Sequence, residues 1–318
     1  MDLPLWGTAR RAAAAASAVR PTASPAELAQ SVGRVAQATA APLLPKRSLE
    51  AAVGGRTVVV TGASYGIGRS AARQIGAAGA TVLLVARSQD DLEAAADEIG
   101  QAGGTARPYP ADLSDLDAVD ALAARIAADG FEVDVLVNNA ARSIRRSLAE
   151  SYDRFHDYQR TMQLNYFAPV RLTLALVPGM RARRRGHVVN VSTLGVQTST
   201  PRFSAYLASK AALEAFARVA AAECLGDGVR FTAVRMPLVR TPMVQATHAY
   251  DAIPALSPDR AAGLITEALR TQAEQVGPRI GAVAEITHAL SPAVSTEVLH
   301  ALYRAVPDRP AGAEPPAT

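Results

Sequence analysis

The chain has 318 residues, 49% of them hydrophobic and 19% charged, with a formal net charge of +4. This composition excludes a disordered chain and leaves room for one large α/β domain or two small ones. The basic excess suits an anionic ligand or a membrane surface, whereas no zinc-ligand spacing or aromatic–basic interleaving supports a nucleic-acid reader.

A single cysteine, Cys224, rules out an internal disulfide and fits a reducing, cytoplasmic setting. Inside its Ala-rich run it reads as a small buried filler. No apolar stretch is long enough to span a bilayer. Residues 1–52 read as an Ala-rich N-terminal extension punctuated by Pro21, Pro25, Pro42 and Pro45. From Leu3 to Ala26 it lacks acidic residues and carries Arg10, Arg11 and Arg20, as a targeting segment would, but no compact apolar stretch with a cleavage site is evident. The folded domain is expected over residues 53–306, followed by a disordered Pro-rich tail over 307–318.

Val58-Val59-Val60 is an apolar run ending in Thr61-Gly62, the pattern of a strand buried on both faces. An Ala-rich helix to about Ala78 follows, then a second buried strand over Thr81 to Val85 and a helix over Gln89 to Gly100. A third strand is expected near Ala106 to Tyr109, a helix from Leu116 to Asp129 and a fourth strand over Val133 to Val137. A long helical stretch runs around Tyr158 to Leu176. A fifth strand spans His187 to Val191, a helix spans residues 206–223, and a sixth strand spans Val229 to Val234. Two apolar helical segments, Val283 to Leu290 and Val294 to Tyr303, lie beyond Pro278. Strands alternating with helices predict a doubly wound parallel sheet, a Rossmann-type three-layer α/β sandwich.

Thr61-Gly62-Ala63-Ser64-Tyr65-Gly66-Ile67-Gly68 sits between a strand and a helix. Glycines let the backbone turn tightly and approach a pyrophosphate, and the helix N-terminus offers free N–H groups to it. A glycine pattern alone is an ordinary βα turn as often as a site, but this strand–turn–helix context is what a dinucleotide needs. The second strand ends in Ala86-Arg87-Ser88 rather than in an acidic residue. Arg87 can take a 2′-phosphate in a bidentate contact, which favours NADPH over NADH. Tyr206 and Lys210 open a helix four residues apart, on one face. A cation beside a phenol stabilises phenolate, and such a tyrosine can protonate a developing alkoxide.

These ordered pieces resemble the short-chain dehydrogenase/reductase family over roughly residues 55–275. The matching residues are Thr61 to Gly68, Asp112-Leu113, Asn138-Asn139-Ala140-Ala141, Asn165, the serine-rich end of the fifth strand, and Tyr206 with Lys210. The resemblance implies that Asp112 and Leu113 border the adenine and that Asn139 and Ala140 support the nucleotide. It implies that Asn165 holds a helix kink and a water linking Lys210 to solvent, that Lys210 also binds the nicotinamide ribose, and that Thr241 contacts the carboxamide. Three departures stand out: Ala141 replaces a glycine, Met236-Pro237 replaces Pro-Gly, and the substrate-orienting hydroxyl falls on Thr193, with Ser192 beside it. Threonine keeps the hydroxyl donor, which would share the developing charge on a substrate oxygen with Tyr206.

A narrower resemblance is to the reductase domain of bacterial fatty acyl-CoA reductases, from about residue 55 to about 305. It rests on Ala141 to Ser147, Asp153 to Tyr158, Met162 to Tyr166, Pro201 to Tyr206 and Met236 to Met243. It implies hydride transfer from NADPH to a thioester carbonyl, protonation by Tyr206, and collapse of a hemithioacetal to aldehyde and CoA, with no cysteine nucleophile. Arg142, Arg145 and Arg146 follow the fourth strand, where ligands bind, and either meet the CoA phosphates or form a solvated basic loop. The C-terminal segments line an acyl tunnel, meet a second subunit in a homo-oligomer, rest peripherally on a membrane surface, or simply close the core. His156, His187, His288 and His300 show no metal-ligand spacing. Two alternatives stay open: a general carbonyl reductase for lipophilic ketones or alcohols, and a non-catalytic NADP-binding sensor.

Overall fold

The structure is a computed structural model that describes residues 47–245 and 254–305. The extension as far as residue 46 and the tail from residue 306 lie outside the described residues. The apolar runs form strands β1 (Thr57–Thr61), β2 (Thr81–Ala86), β3 (Thr105–Pro110), β4 (Val133–Asn138), β5 (Gly186–Thr193), β6 (Val229–Met236) and a two-residue β7 (Gln275–Val276). The helices are α1 (Leu49–Val53), α2 (Gly66–Ala77), α3 (Gln89–Gln101), α4 (Leu116–Ala128), α5 (Phe155–Met162), α6 (Ala168–Ala182), α7 (Gly195–Thr198), α8 (Ser204–Cys224), α9 (Pro242–Gln245), α10 (Pro258–Thr271), α11 (Ile280–Leu290) and α12 (Pro292–Ala305).

All strand pairs are parallel, in the order β3-β2-β1-β4-β5-β6-β7. Successive side chains of a strand point to opposite faces, and each face here has its own core. Val58 and Val60 pack with Ile75, Leu92 and Ile265, from α2, α3 and α10. Val59 packs instead with Leu122, Leu172 and Ala217, from α4, α6 and α8. The doubly wound α/β sandwich expected from the alternation is therefore present. The chain reverses its winding between β1 and β4, which opens a crevice at their carboxyl ends.

Four features go beyond the sequence reading. First, α1 begins inside the expected extension and ends at Val53, where the domain was expected to start, and its Ala52 and Val53 are buried in the core. Second, α10 was not expected, although Ala261, Ala262, Ile265 and Leu269 recur at helical spacing and all are buried. Third, β7 adds a seventh strand beside β6. Fourth, the helical stretch around Tyr158 to Leu176 is two helices joined by a π-turn over Gln163–Phe167.

Candidate active site

Local chemistry shapes the glycine turn. Gly62 has φ +66°, a left-handed conformation that a side chain would strain. Gly68 has no room for a side chain, because an added Cβ would lie 2.1 Å from the Gly62 carbonyl oxygen. Asn139 locks the turn from β4: its Nδ2 donates to the Thr61 and Gly62 carbonyls at 2.9 and 3.2 Å. The Thr61 hydroxyl accepts the backbone N–H groups of Asn139 and Ala140 at 2.9 and 3.0 Å. Thr241 packs against Gly66 from the segment after β6; an added Cβ there would meet its methyl at 3.2 Å. Ser64 is buried, Tyr65 is exposed, and Ile67 and Gly68 lie in the first turn of α2.

The N-terminus of α2 has no side-chain cap and no acidic residue in its first turn. By contrast, α3 and α4 are capped by Ser88 and Asp115. A helix N-terminus left uncapped beside a glycine turn offers N–H groups and a favourable dipole to phosphates. The cradle therefore fits the pyrophosphate of a dinucleotide. Arg87 is exposed at the end of β2. Asp112, just beyond β3, accepts the Ser114 hydroxyl and N–H at 2.6 and 2.9 Å. Those bonds hold its carboxyl below the ordinary range, helped by the charges of Arg87 and Arg142. Leu113 is buried beside it.

The side chains expected to handle the proton come from β5 and α8. Lys210 is only 2% exposed, and its Nζ donates to the Val191 carbonyl at 2.7 Å. Burial pushes its ammonium down to about 8, with the charge of Glu214 opposing the shift. Tyr206 lies one helical turn earlier, with the Phe203 ring edge-on at 6.4 Å. Ser209 donates its hydroxyl to the Tyr206 carbonyl at 2.7 Å. Asn165 is fully buried in the π-turn between α5 and α6. Its amide donates to the Arg142 carbonyl at 2.8 Å and the Ser209 hydroxyl at 3.0 Å, and its oxygen accepts the Arg142 N–H at 2.8 Å. Its direct bonds thus pin the loop after β4 to the residue before Lys210.

The two hydroxyls at the end of β5 separate cleanly. Ser192 is buried and donates to Glu214 Oε1 at 2.5 Å. Thr193 is partly exposed, and its Oγ1 accepts the Gly195 N–H at 3.1 Å, which leaves its proton able to be donated. Two residues that sequence reasoning missed stand behind them. Glu214 and Arg235 form a buried ion pair, with Arg235 Nη2 2.7 Å from Glu214 Oε2. The available signal was a charge inside an apolar run, at Arg235 within Phe231 to Met236 and at Glu214 on the face carrying Tyr206 and Lys210.

Comparison with known proteins agrees with this geometry. The sequence pattern described as short chain dehydrogenase matches residues 56–251. A fatty acyl-CoA reductase of Acinetobacter baylyi is 47% identical over 243 residues, covering 76% of this chain and 82% of that protein. An uncharacterized oxidoreductase of Mycobacterium bovis is 50% identical over 255 residues, 79% of this chain and 75% of that one. A metagenomic short-chain oxidoreductase solved in complex with NADP superposes with a TM-score of 0.60 at 35% identity, over 71% of this chain and 97% of that chain.

Proposed function

The chain belongs to the short-chain dehydrogenase family and is a nicotinamide-dependent oxidoreductase, and from that premise we propose that it reduces a fatty acyl-CoA thioester to the aldehyde with NADPH. What supports this reading is Thr193 at the carboxyl end of β5 with Tyr206 and Lys210 on α8, which packs against that strand, in a chain 47% identical to a fatty acyl-CoA reductase. The bound dinucleotide supplies the hydride. Gly62, Gly66 and the first turn of α2 hold its phosphates, while Arg87 pairs with the 2′-phosphate. Asp112 and Leu113 border the adenine, and Thr241 and Lys210 hold the nicotinamide end.

The Thr193 hydroxyl donates to the thioester carbonyl oxygen, and Tyr206 delivers a proton to that oxygen as hydride arrives at carbon. Lys210 stabilises the tyrosine oxygen as its proton leaves. The hemithioacetal then releases CoA. Cys224 takes no part: it is buried near the end of α8, and burial pushes its thiol up, away from nucleophilic thiolate. In the basic loop, Arg146 is engaged with buried Asp157 at 3.1 Å, and Arg142 acts electrostatically on Asp112. Arg145 is the residue we assign to the CoA phosphates.

Among the described residues, no helix is long and apolar enough to cross a membrane. We assign the exposed Val283, Ile286, Leu290, Val294 and Val298 of α11 and α12 to peripheral membrane contact of a cytoplasmic enzyme. Leu174 and Val219, exposed on α6 and α8, we assign to a second copy in a homo-oligomer.

The test compares purified protein on long-chain acyl-CoA, fatty aldehyde and lipophilic ketone. NADPH oxidation by acyl-CoA with release of free thiol supports the proposal. Turnover of ketone or aldehyde with inert acyl-CoA replaces it with a general carbonyl reductase. NADPH binding without any turnover replaces it with a sensor.

A further inference from the structure

Beneath the proposed catalytic residues lies a buried polar network that hydride transfer does not use. Glu214 follows Lys210 by four residues and Tyr206 by eight, so all three share one face of α8. It is 3% exposed, and its two oxygens accept the Ser192 hydroxyl at 2.5 Å and Arg235 Nη2 at 2.7 Å. Arg235 is 5% exposed and is the register partner of Ser192 across β5 and β6. Its Nη1 donates to Gln275 Oε1 at 3.0 Å and stands 3.7 Å from Glu285 Oε2 on α11. Glu285 in turn accepts Gln197 Nε2 at 2.9 Å from α7. The network thus joins β5, β6, β7, α7, α8 and α11.

A buried ion pair is a poor device for stability alone, because the cost of desolvating both charges offsets their attraction. This pair sits one helical turn below a buried lysine and directly behind the Ser192–Thr193 strand end. We propose that Glu214, clasped by Arg235, is a positioning residue for hydride transfer: it turns Ser192 away from the cleft and holds Lys210 as a cation. The inference rests on the reading that Lys210 and Tyr206 carry the proton chemistry.

The charged surroundings of Lys210 make the sign definite. Its own helix carries Tyr206 and Glu214. Strand β5 contributes only the Val191 carbonyl, and the π-turn only neutral Asn165 through Ser209. Strand β6 contributes Arg235, and α11 contributes Glu285 beyond it. Removing the charge of Glu214 leaves Arg235 and Lys210 as two buried cations, which disfavours protonated Lys210. Removing the charge of Arg235 leaves an uncompensated anion near Lys210, with the opposite effect.

The experiment measures NADPH binding by nicotinamide fluorescence against pH, with turnover alongside, on the full chain. Lys210→Met identifies the titration that belongs to Lys210. Glu214→Gln is expected to move that titration down by about one pH unit and Arg235→Gln to move it up, while the double variant Glu214→Gln/Arg235→Gln returns it close to wild type. Displacement of both single variants in the same direction, or no displacement, overturns the proposal. Should a single variant fail to fold, the remaining single and the double decide: a remaining single that does not move in its stated direction, or a double that does not return, overturns it. NADPH binding is independent of the substrate, so an inert acyl-CoA would remove the substrate reading and leave this one standing. Absence of any titration that Lys210→Met abolishes would remove the premise the two share.

Discussion

Ser192 and Thr193 are neighbours on β5 with opposite commitments: Ser192 gives its proton to buried Glu214 at 2.5 Å, whereas Thr193 only accepts, from the Gly195 N–H. The hydroxyl that remains able to donate to a substrate oxygen is therefore that of Thr193. Thr193→Val is expected to lower kcat by about 100- to 1000-fold, the usual effect of losing one donor to a developing oxyanion. Ser192→Ala is expected to keep turnover within a few-fold while lowering Tm, since Glu214 loses a hydrogen-bond donor. Steady-state kinetics and thermal melts of both variants decide between them; a reversed order would reassign the hydroxyl to Ser192.

We propose that Arg87 sets the choice between the two nicotinamide cofactors. It is exposed at the end of β2, and its charge acts on Asp112 across the same edge of the crevice. Arg87→Ala is expected to weaken NADPH by roughly 10- to 100-fold, since a hydrogen bond to a charged group contributes about 1.5–3 kcal/mol. NADH affinity is expected to stay within a few-fold. Titration of each cofactor by fluorescence checks this, and equal losses for both would free Arg87 of the 2′-phosphate role.

Gly68→Ala tests the cradle itself. The added methyl would lie 2.1 Å from the Gly62 carbonyl oxygen, so the turn must open. Loss of measurable NADPH binding and a lower Tm are expected. Gly226→Ala is the control, since nothing lies within 4 Å of its added Cβ. If the two variants bind NADPH equally well, the turn is not the phosphate site.

His187 gives the protein an acid-sensitive step. It is buried against the Thr232 hydroxyl at 2.8 Å, and burial pushes its imidazole down to about 3. Unfolded histidine titrates near 6.5, so the stability held by neutral His187 is full above that pH. It is lost as pH falls toward 3, by up to about 1.4 kcal/mol per pH unit. The carboxylates held low by their partners, such as Asp112 and Asp259, lose their contribution only at more acid pH. The drop in urea midpoint between pH 7 and pH 5 is therefore expected to shrink in His187→Gln. An unchanged drop would assign the sensitivity elsewhere.

Legibility in the sequence followed the physics of each element. Strands β1 and β4 are buried on both faces, so their apolar runs could be read directly. Tyr206 and Lys210 could be read because their meaning comes from order along the chain. Strand β7 has only two residues and leaves no periodic trace. The π-turn at Asn165 is flanked by ordinary helical spacing, so only a resemblance pointed to a kink there. Glu214 and Arg235 stayed hidden for a different reason. A charged residue reads as solvent-facing until its partner is known, and these two partners lie 21 residues apart in the chain, on different elements.

The central claim is that Tyr206 carries the proton of hydride transfer. The most direct measurement compares Tyr206→Phe with the wild type, following NADPH absorbance with long-chain acyl-CoA and NADPH binding by fluorescence. The account predicts a fall in kcat of about 100- to 10,000-fold, the range for losing a general acid, with NADPH affinity within a few-fold of wild type. A Tyr206→Phe enzyme that turns over at the wild-type rate would contradict it.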